Sequence, residues 1–135
     1  MTQPIENRRI FITGGAGFIG STLIGRLIAA NKITVYDDFR RDALSGTSFA
    51  NHPNLQVVKG DVLDPAALSK AMEGAQIVIH CAAIAGIDTV IKRPTETMRV
   101  NMIGTANVLE AAKGLPNLQR LVDFSTSEVF GTSSF

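Results

Sequence analysis

The chain has 135 residues, of which 45% are hydrophobic and 19% are charged, a composition that indicates one folded domain and excludes a disordered segment. The formal net charge of +1 and the lack of a basic cluster exclude the electrostatic footprint of a nucleic-acid-binding or membrane-surface protein. Every apolar stretch is shorter than the ~18 residues that span a bilayer, and the first residues lack the apolar core of a signal peptide, so we expect a cytoplasmic protein.

The first predicted strand, Arg9–Thr13, leads directly into a glycine-rich turn and then into a helical pattern over residues 18–31. Glycines recur every third residue in this turn, at Gly14, Gly17 and Gly20. Such glycines let the backbone turn tightly off a strand, approach a pyrophosphate closely and pack the next helix against the sheet. Because free N–H groups at the start of that helix would face the phosphates, the turn is a predicted dinucleotide-binding element.

The second predicted strand, residues 33–37, ends in Asp37, which lies 17 positions after Gly20. A carboxylate at this place accepts hydrogen bonds from the ribose hydroxyls of a bound adenosine and repels the 2′-phosphate of NADP, so NAD is the predicted cofactor. Arg40 and Arg41 are close enough in sequence to reach a 2′-phosphate, although a solvated loop is the simpler interpretation for both. The alternative to a dinucleotide site is an ordinary tight turn with Asp37 as a loop cap.

Three further strands, 55–59, 76–82 and 120–125, alternate with helices predicted over 65–73 and 95–113. This alternation predicts a parallel sheet of order 3-2-1-4-5 with right-handed crossovers, which is an α/β fold of the Rossmann, doubly wound type. We expect the ligand crevice at the carboxyl ends of strands one and four, where the strand order reverses.

The long helix and the single cysteine lead to structural predictions. Met98, Met102, Val108 and Leu109 recur at near-helical spacing, which predicts a buried core stripe. Cys81 is the only cysteine and lies within the apolar fourth strand, so we expect a buried and unreactive thiol.

Six motifs follow one another along the chain: TGGAGFIG, YDD, GDV, HCAA, VNMIGTANVLEAA and STSEVFG. In this order and spacing they resemble the extended short-chain dehydrogenase/reductases, the NAD-dependent epimerases, dehydratases and decarboxylases of nucleotide sugars. The resemblance covers essentially the entire chain. It implies an enzyme that binds NAD and acts on a nucleotide-sugar substrate through a transient keto-sugar, with no metal. We also expect a homodimer for the intact protein.

The resemblance implies a role for individual residues around the cofactor. The glycine turn would line the pyrophosphate, Asp37 would hold the adenosine ribose, and Asp61 with Val62 would contact adenine, although an acid after strand three also serves as a turn or helix cap. The small residues that follow strand four would pass beside the nicotinamide ribose, and Asn101 would order the site from the long helix. The implied cofactor-binding residues are Gly14, Gly17, Phe18, Ile19, Gly20, Asp37, Asp38, Asp61, Val62, Cys81, Ala82, Ala83, Asn101 and Ser125.

Residues 125–131 match the active-site stretch of the same family. Thr126 falls where the family places the hydroxyl that hydrogen-bonds the sugar oxygen being oxidised, Glu128 falls where several members carry an acid/base group, and Ser127 lies between them. Hydride can leave a sugar carbon only as the neighbouring hydroxyl loses its proton, so a positioned acceptor is required. The alternative is that Thr126 and Ser127 only satisfy backbone groups at the end of a strand.

The chain departs from the family pattern in its proton acceptor, which in the family is a tyrosine followed four residues later by a lysine. The sequence reaches Phe135 without such a pair, and Tyr36, its only tyrosine, is followed at that spacing by Arg40. We therefore expect residues 1–135 to be the NAD-binding Rossmann domain of a longer enzyme, truncated after strand five and inactive without its C-terminal substrate-binding part. Phe130 and Cys81 also differ from the residues usual in the family, which would alter the pocket.

Several functions stay open on the sequence alone. Thr126, Ser127 and Glu128 suit decarboxylases and some dehydratases, and we favour an epimerase or a decarboxylase. If 135 residues is the mature length, the missing tyrosine and lysine support instead a non-catalytic dinucleotide-binding module. A third hypothesis is a reductase of small carbonyl compounds from the same superfamily.

Overall fold

The structure, a computed structural model, describes residues 4–131 and forms a sheet of five strands flanked by helices. The strands are β1 (Arg9–Thr13), β2 (Lys32–Asp37), β3 (Leu55–Lys59), β4 (Ile77–His80) and β5 (Arg120–Asp123). They pair in parallel in the order β3-β2-β1-β4-β5, which confirms the predicted sheet order. Because the order reverses between β1 and β4, the carboxyl ends of these two strands flank a crevice.

The helices are α1 (Phe18–Leu27), α2 (Pro65–Met72), α3 (Ile87–Lys92), α4 (Pro94–Met98) and α5 (Thr105–Lys113). A π-helical segment, Arg99–Gly104, joins α4 to α5, so the predicted helix 95–113 is one helical stretch with a wider middle. A 3-10 turn, Ser127–Phe130, follows β5. Among residues 4–131 there is no helix with the length and apolarity that a membrane crossing requires.

Helix α1 ends earlier than the predicted residue 31 because an asparagine caps it. The buried side chain of Asn31 donates from Nδ2 to the carbonyl oxygen of Leu27 and also to that of Ile5. Its Oδ1 accepts the N–H of Arg8. Asn31 therefore ends the helix and joins it to the segment before β1.

Both faces of the sheet are covered, which explains why several strands are almost continuously apolar. Ile10 and Ile12 of β1 pack on the side of α1, while Phe11 between them packs on the side of α2 and α5. All four residues of β4 are buried, whereas β5, at the edge of the sheet, is largely exposed.

The predicted core stripe on the long helix is wrong at three of its four positions. Val108 is fully buried, but about half or more of the residue surface is exposed at Met98, Met102 and Leu109. The reason lies at Gly104, where an added Cβ would lie 2.6 Å from Cγ2 of Val62. Small residues thus form the contact face of this helix, and its large apolar side chains lie outside the contact.

The edge of the crevice also differs from the expectation. Helix α3 lies in a stretch for which the sequence predicts no helix; it begins after Gly86, whose φ of 105° favours glycine. Strands β4 and β5 each end two residues before their predicted limits, 82 and 125. One backbone hydrogen bond continues past each end, from the N–H of Cys81 to the carbonyl oxygen of Thr13 and from the N–H of Phe124 to that of His80.

Candidate functional site

The glycine turn between β1 and α1 lies against the end of β4, and two of its glycines are required by packing. Gly14 has a φ of 68°, and a Cβ on it would lie 2.5 Å from the backbone nitrogen of Ala82. A Cβ on Gly20 would lie 2.5 Å from the carbonyl oxygen of Gly14. Backbone atoms cannot move away cheaply, so side chains are excluded at both positions by the protein itself.

Gly17 is different, because the protein makes little demand for a glycine there. Its backbone is extended, with φ of −74° and ψ of 175°, a conformation that any residue adopts. An added Cβ would have only the carbonyl oxygen of Gly14 within 4 Å, at 3.2 Å. Close approach of a ligand to the backbone is a physical reason for glycine at such a position.

The N-terminus of α1 carries donors that the protein does not pair. Gly17, its N-cap, supplies no side-chain hydrogen bond, and within residues 4–131 the N–H groups of Phe18 and Ile19 have no acceptor. Helix α2 shows the contrast, because Asp64 caps it by accepting the N–H of Ala67 at 3.0 Å. The start of α1 therefore presents unpaired N–H groups and the positive end of a helix dipole, which together suit an anion.

Asp37 ends β2 beside this turn and is 9% exposed. Its Oδ2 accepts the N–H of Ala16 at 2.9 Å, and its Oδ1 accepts the N–H of Phe39 at 2.8 Å. Burial raises the pKa of this carboxyl group above its usual value, although the two hydrogen bonds oppose the rise. Asp37 is thus a loop cap, as the alternative interpretation states. Each oxygen of the ionised group can still accept a further hydrogen bond, so two hydroxyl groups remain compatible with that cap.

The two arginines that follow have partners across the crevice, so the solvated-loop interpretation is incomplete. Arg40 places Nε 2.8 Å from Oδ2 of Asp38 and Nη1 2.7 Å from Oε1 of Glu96 on α4. Arg41 donates from Nη2 to the carbonyl oxygen of Ala85 at 3.4 Å. Both side chains connect the loop after β2 with the segment after β4.

The acid that follows β3, Asp61, caps a turn, which is the alternative that the sequence allows for it. Asp61 is exposed, and its Oδ1 accepts the N–H of Leu63 at 2.9 Å. The side chain of Val62 is buried in the core, and its carbonyl oxygen accepts Nδ2 of Asn107 at 2.9 Å. In the described part of the chain the N–H of Val62 has no acceptor. A ligand at this edge can therefore meet the Asp61 carboxylate and the Val62 backbone, but not the Val62 side chain.

Asn101, in the π-helical segment, fastens the loop that follows β4. Its Oδ1 accepts the N–H of Ile84 at 2.8 Å and its Nδ2 donates to the carbonyl oxygen of Ile84 at 3.0 Å. Before this clamp the chain passes the glycine turn through Cys81 and Ala82, which are half-buried, and through the exposed Ala83. Burial raises the pKa of the Cys81 thiol to about 11, so the thiol is protonated and unreactive at neutral pH.

His80 belongs to the same network, although the sequence predicts no role for it. Its Nδ1 lies 2.6 Å from Oγ1 of Thr13, and its Nε2 lies 3.0 Å from Oγ1 of Thr105, which itself donates to the carbonyl oxygen of Asn101 at 2.7 Å. The Thr105 proton is used in that bond, so Thr105 accepts from the Nε2–H of His80, and Nδ1 accepts from Thr13. The only signal in the sequence is one histidine inside an otherwise apolar strand.

The predicted catalytic segment begins at the same edge of the sheet. Ser125 and Thr126 follow β5 and are exposed, and β5 lies beside β4. The side chains of Ser127 and Glu128 lie outside the described residues. No group of three or more His, Cys, Asp or Glu side chains converges as a metal site within the part of the chain that the structure describes.

The described groups fit a dinucleotide. The unpaired N–H groups at the start of α1 can bind its phosphates, and the open space at Gly17 lets those phosphates approach the protein backbone closely. The remaining acceptor sites of Asp37 can bind the two hydroxyls of a ribose. The start of α1 lies at the point where the strand order reverses, which is the usual ligand position in open α/β sheets, and Asp37 lies beside it at the end of β2.

Comparison with known proteins agrees with this geometry. Over 131 residues the chain is 33% identical to UDP-N-acetyl-alpha-D-glucosaminuronate decarboxylase of Bacillus cytotoxicus, covering 92% of the chain and 38% of that protein. The solved UDP-N-acetylglucosamine 4-epimerase of Methanobrevibacter ruminantium M1, in complex with UDP-N-acetylmuramic acid, superposes with a TM-score of 0.86 at 30% identity, covering 94% of the chain and 40% of that structure. The chain thus spans about two fifths of the length of these relatives.

A third relative has a dinucleotide bound. The double mutant of DesIV, a dTDP-glucose 4,6-dehydratase from Streptomyces venezuelae solved with NAD and DAU, gives a TM-score of 0.85 at 29% identity, covering 94% of the chain and 42% of that structure. The sequence profile described as the NAD dependent epimerase/dehydratase family matches residues 10–135, and its description names the cofactor predicted from the sequence. Since this match covers all but the first nine residues, the chain belongs to the NAD-dependent epimerase/dehydratase family.

Proposed function

We propose that the chain binds NAD across the crevice between β1 and β4 and forms the cofactor-binding part of an enzyme that oxidises a nucleotide sugar to a transient keto-sugar. The observation that carries the proposal is Gly17, whose backbone conformation any residue can adopt and whose Cβ position meets only one backbone atom, at the uncapped start of α1. The family supports NAD, and the relatives named above, a decarboxylase, an epimerase and a dehydratase, support a nucleotide-sugar substrate.

In this proposal the chain binds the cofactor mostly through backbone groups. The N–H groups of Phe18 and Ile19 donate to the pyrophosphate, and Asp37 accepts both hydroxyls of the adenosine ribose. The exposed carboxylate of Asp61 accepts the exocyclic amine of adenine, and the N–H of Val62 donates to a ring nitrogen. Asp38 lies beyond the ribose and positions Arg40.

The nicotinamide end lies along the segment after β4. Cys81, Ala82 and Ala83 leave room there because their side chains are small, and Asn101 holds the segment in place. When bound, NAD supplies a hydride acceptor. Beside it, Ser125 and Thr126 present hydroxyls at the end of β5, and Thr126 hydrogen-bonds the sugar hydroxyl that loses its proton.

Further along this stretch, Glu128 acts as the acid/base group for the later step on the keto-sugar, and Ser127 supports the sugar. The proposal treats epimerisation, dehydration and decarboxylation as one class of reactions. A substrate-binding part beyond this chain decides which sugar and which reaction.

In this proposal the chain does not supply the general base for hydride transfer. Tyr36 is 1% exposed, packs against Phe11 and donates its hydroxyl to the carbonyl oxygen of Asp61 at 3.1 Å. Burial also raises its pKa. We therefore propose that residues 1–135 alone bind NAD without turnover, and that nucleotide sugar with NAD yields neither NADH nor an altered sugar. Turnover by this chain would show that another residue acts as the base.

The whole enzyme is proposed to be longer, cytoplasmic and homodimeric. The share of each relative that the chain covers supports the greater length. Exposed apolar side chains support further contacts, both after β5, at Phe124 and Phe130, and along the long helix, at Met98 and Met102. Sedimentation of the whole protein would measure its oligomeric state, and a monomer would contradict the dimer.

A second candidate is a non-catalytic dinucleotide-binding module, which the buried position of Tyr36 favours. The intact mass of the native protein separates the two. A species near 14.4 kDa favours the module, and one more than twice as large favours the enzyme. A screen of nucleotide sugars against simple ketones with the native protein would separate both from a small-carbonyl reductase.

NAD binding can be tested by replacing each of two glycines with alanine and measuring how much NAD stabilises each variant. Gly17→Ala should lower the free energy of unfolding by less than about 1 kcal/mol, because its Cβ lies 3.2 Å from one carbonyl oxygen and alanine is a poorer N-cap than glycine. It should remove the stabilisation that NAD gives, because the new methyl group occupies the path of the pyrophosphate. Gly46→Ala is the matched control, since nothing lies within 4 Å of its Cβ position. Wild type and control should gain about 2.7 kcal/mol at an NAD concentration of 100 Kd. Equal gains in all three proteins, or none in wild type, would refute the site.

A further inference from the structure

We propose that Glu96 makes the cofactor site selective for NAD over NADP by holding Arg40 away from the position of a 2′-phosphate. The inference rests on the NAD site proposed above. It assigns a specificity role to a helix α4 residue that lies outside all the motifs of the chain and contacts neither cofactor nor substrate in the proposal.

Arg40 is the residue that would otherwise favour NADP. It lies three positions after Asp37, and arginines near the end of the second strand accommodate the 2′-phosphate in dinucleotide-binding folds. A guanidinium group suits this function because its fork of donors matches phosphate oxygens. The chain therefore carries a group suited to NADP next to an acid suited to NAD.

The structure shows why this arginine is not available. Asp38 contacts Nε of Arg40 at 2.8 Å, and Glu96 contacts Nη1 at 2.7 Å. These two carboxylates engage two different nitrogens of the fork, so a phosphate would have to displace at least one of them. Arg40 is bound on one side by its own loop and on the other by α4.

Glu96 is itself held in place from the far side. Its Oε2 lies 3.4 Å from Nη1 of Arg93, the N-cap residue of α4. The interaction with Arg40 also lowers the pKa of the Glu96 carboxyl group, which is therefore ionised at neutral pH. An acid anchored to α4 draws Arg40 toward the segment after β4 instead of leaving it over the end of β2.

The charges around Arg40 act in the same direction. Glu96, Asp38 and Asp61 all act on the Arg40 guanidinium group, so this one cation faces an excess of negative charge. A ribose hydroxyl is neutral and is indifferent to this excess, whereas a 2′-phosphate is repelled by it. Removal of Glu96 both lowers the excess and releases one face of Arg40.

The experiment measures the affinities of NAD and NADP by titration calorimetry with the 135-residue chain. Glu96→Ala should raise the affinity for NADP relative to NAD about fivefold, the scale expected when one exposed ion pair is exchanged for another. Glu110→Ala is the matched control, because Glu110 forms the same i,i+3 ion pair, with Lys113 at 3.3 Å, on a different part of the long helix. It should leave the ratio unchanged.

A double variant separates release of Arg40 from a general change in charge. In Arg40→Ala with Glu96→Ala the ratio should return close to that of Arg40→Ala alone. The same rise with and without Arg40 would overturn the inference, and so would an unchanged ratio in Glu96→Ala that still binds NAD. Glu96→Gln, which keeps the shape and removes the charge, repeats the test if the alanine variant does not fold. Wild type that binds no NAD would instead refute the proposed function, and the inference with it.

Discussion

His80 and Thr105 are joined by a hydrogen bond in which Nε2 of the imidazole donates to the hydroxyl oxygen at 3.0 Å. The opposite nitrogen of the ring accepts from Thr13, so the histidine connects the end of β1 with the long helix. A proton on that opposite nitrogen would face the Thr13 hydroxyl and reverse this bond. With these bond directions the imidazole is neutral, and burial lowers the pKa of His80, which favours the neutral form.

This relationship predicts a loss of stability in mild acid. The unfolded chain has the ordinary histidine pKa of 6.5, whereas the folded chain has a lower one, although Asp123 opposite on β5 opposes the decrease. The unfolded state therefore binds a proton that the folded state does not. The free energy of unfolding should fall as the pH falls through 6.5 toward the folded pKa, by at most about 1.4 kcal/mol per pH unit.

Urea denaturation of wild type and His80→Gln between about pH 7.5 and about pH 5.5, above the range of ordinary carboxyl groups, measures this slope. The variant should be less stable than wild type, but its free energy of unfolding should depend much less on pH. If both proteins show the same slope, the titration belongs to another group.

The hydroxyl of Thr105 should contribute more to the free energy of unfolding than a similar threonine hydroxyl on an exposed surface. Thr105→Val keeps the shape but removes the acceptor of His80 and the donor to Asn101, which should lower the free energy of unfolding by about 1–3 kcal/mol. Thr22→Val is the control, because Thr22 makes the same bond to a carbonyl four residues earlier, that of Phe18, on an exposed surface. The control should change stability by less than about 0.5 kcal/mol. Equal losses would show that the histidine contact adds nothing.

The parts of the fold that could be predicted from the sequence have local signals. The glycine spacing and the acid at residue 37 lie within one strand-helix-strand unit, and the alternation of apolar runs predicts the parallel order. The histidine network has no such signal, since Thr13 and Thr105 lie 67 and 25 residues from His80. Likewise Arg40 and Glu96 meet only because the strand order places α4 next to the loop after β2.

Hydropathy misleads where small residues form the contact. Met102 is apolar but exposed, whereas Gly104 two positions later brings the helix against Val62. A periodicity argument weights large side chains and therefore selects the wrong face of this helix. The helical pattern of the sequence likewise includes the asparagine that ends α1, because its capping bonds to Leu27 and Ile5 depend on the fold.

Gly20 is predicted to be a structural glycine, in contrast to Gly17. Gly20→Ala should lower the free energy of unfolding by about 1–3 kcal/mol, because the new methyl group meets backbone atoms of Gly14 and Gly15, each 2.5 Å from the Cβ position. This loss exceeds the ~1 kcal/mol that alanine gains over glycine inside a helix. Denaturant titration against Gly46→Ala provides the comparison. A Gly20→Ala protein as stable as the control would mean that the turn can open at little cost.

The protonation of Asp37 should control NAD affinity. The ionised carboxylate can accept two ribose hydroxyls beside the N–H groups of Ala16 and Phe39, but a proton on either oxygen turns that oxygen into a donor. Burial raises the pKa of Asp37 above 3.8, so the group becomes neutral at a higher pH than an exposed aspartate does. NAD affinity should therefore fall as the pH is lowered through that raised pKa, up to about tenfold per pH unit.

Calorimetric titration of NAD from about pH 7.5 down to about pH 4.5 records the profile. Asp37→Asn should bind NAD weakly at every pH and lack the acid limb, because an amide carries no titrating proton. His80→Gln serves as the second comparison, since it removes another buried group whose pKa burial shifts and should keep the limb that belongs to Asp37. If the acid limb survived in Asp37→Asn and disappeared in His80→Gln, the pH dependence of NAD affinity would belong to the histidine network. That result would refute the assignment of Asp37 as the ribose acceptor.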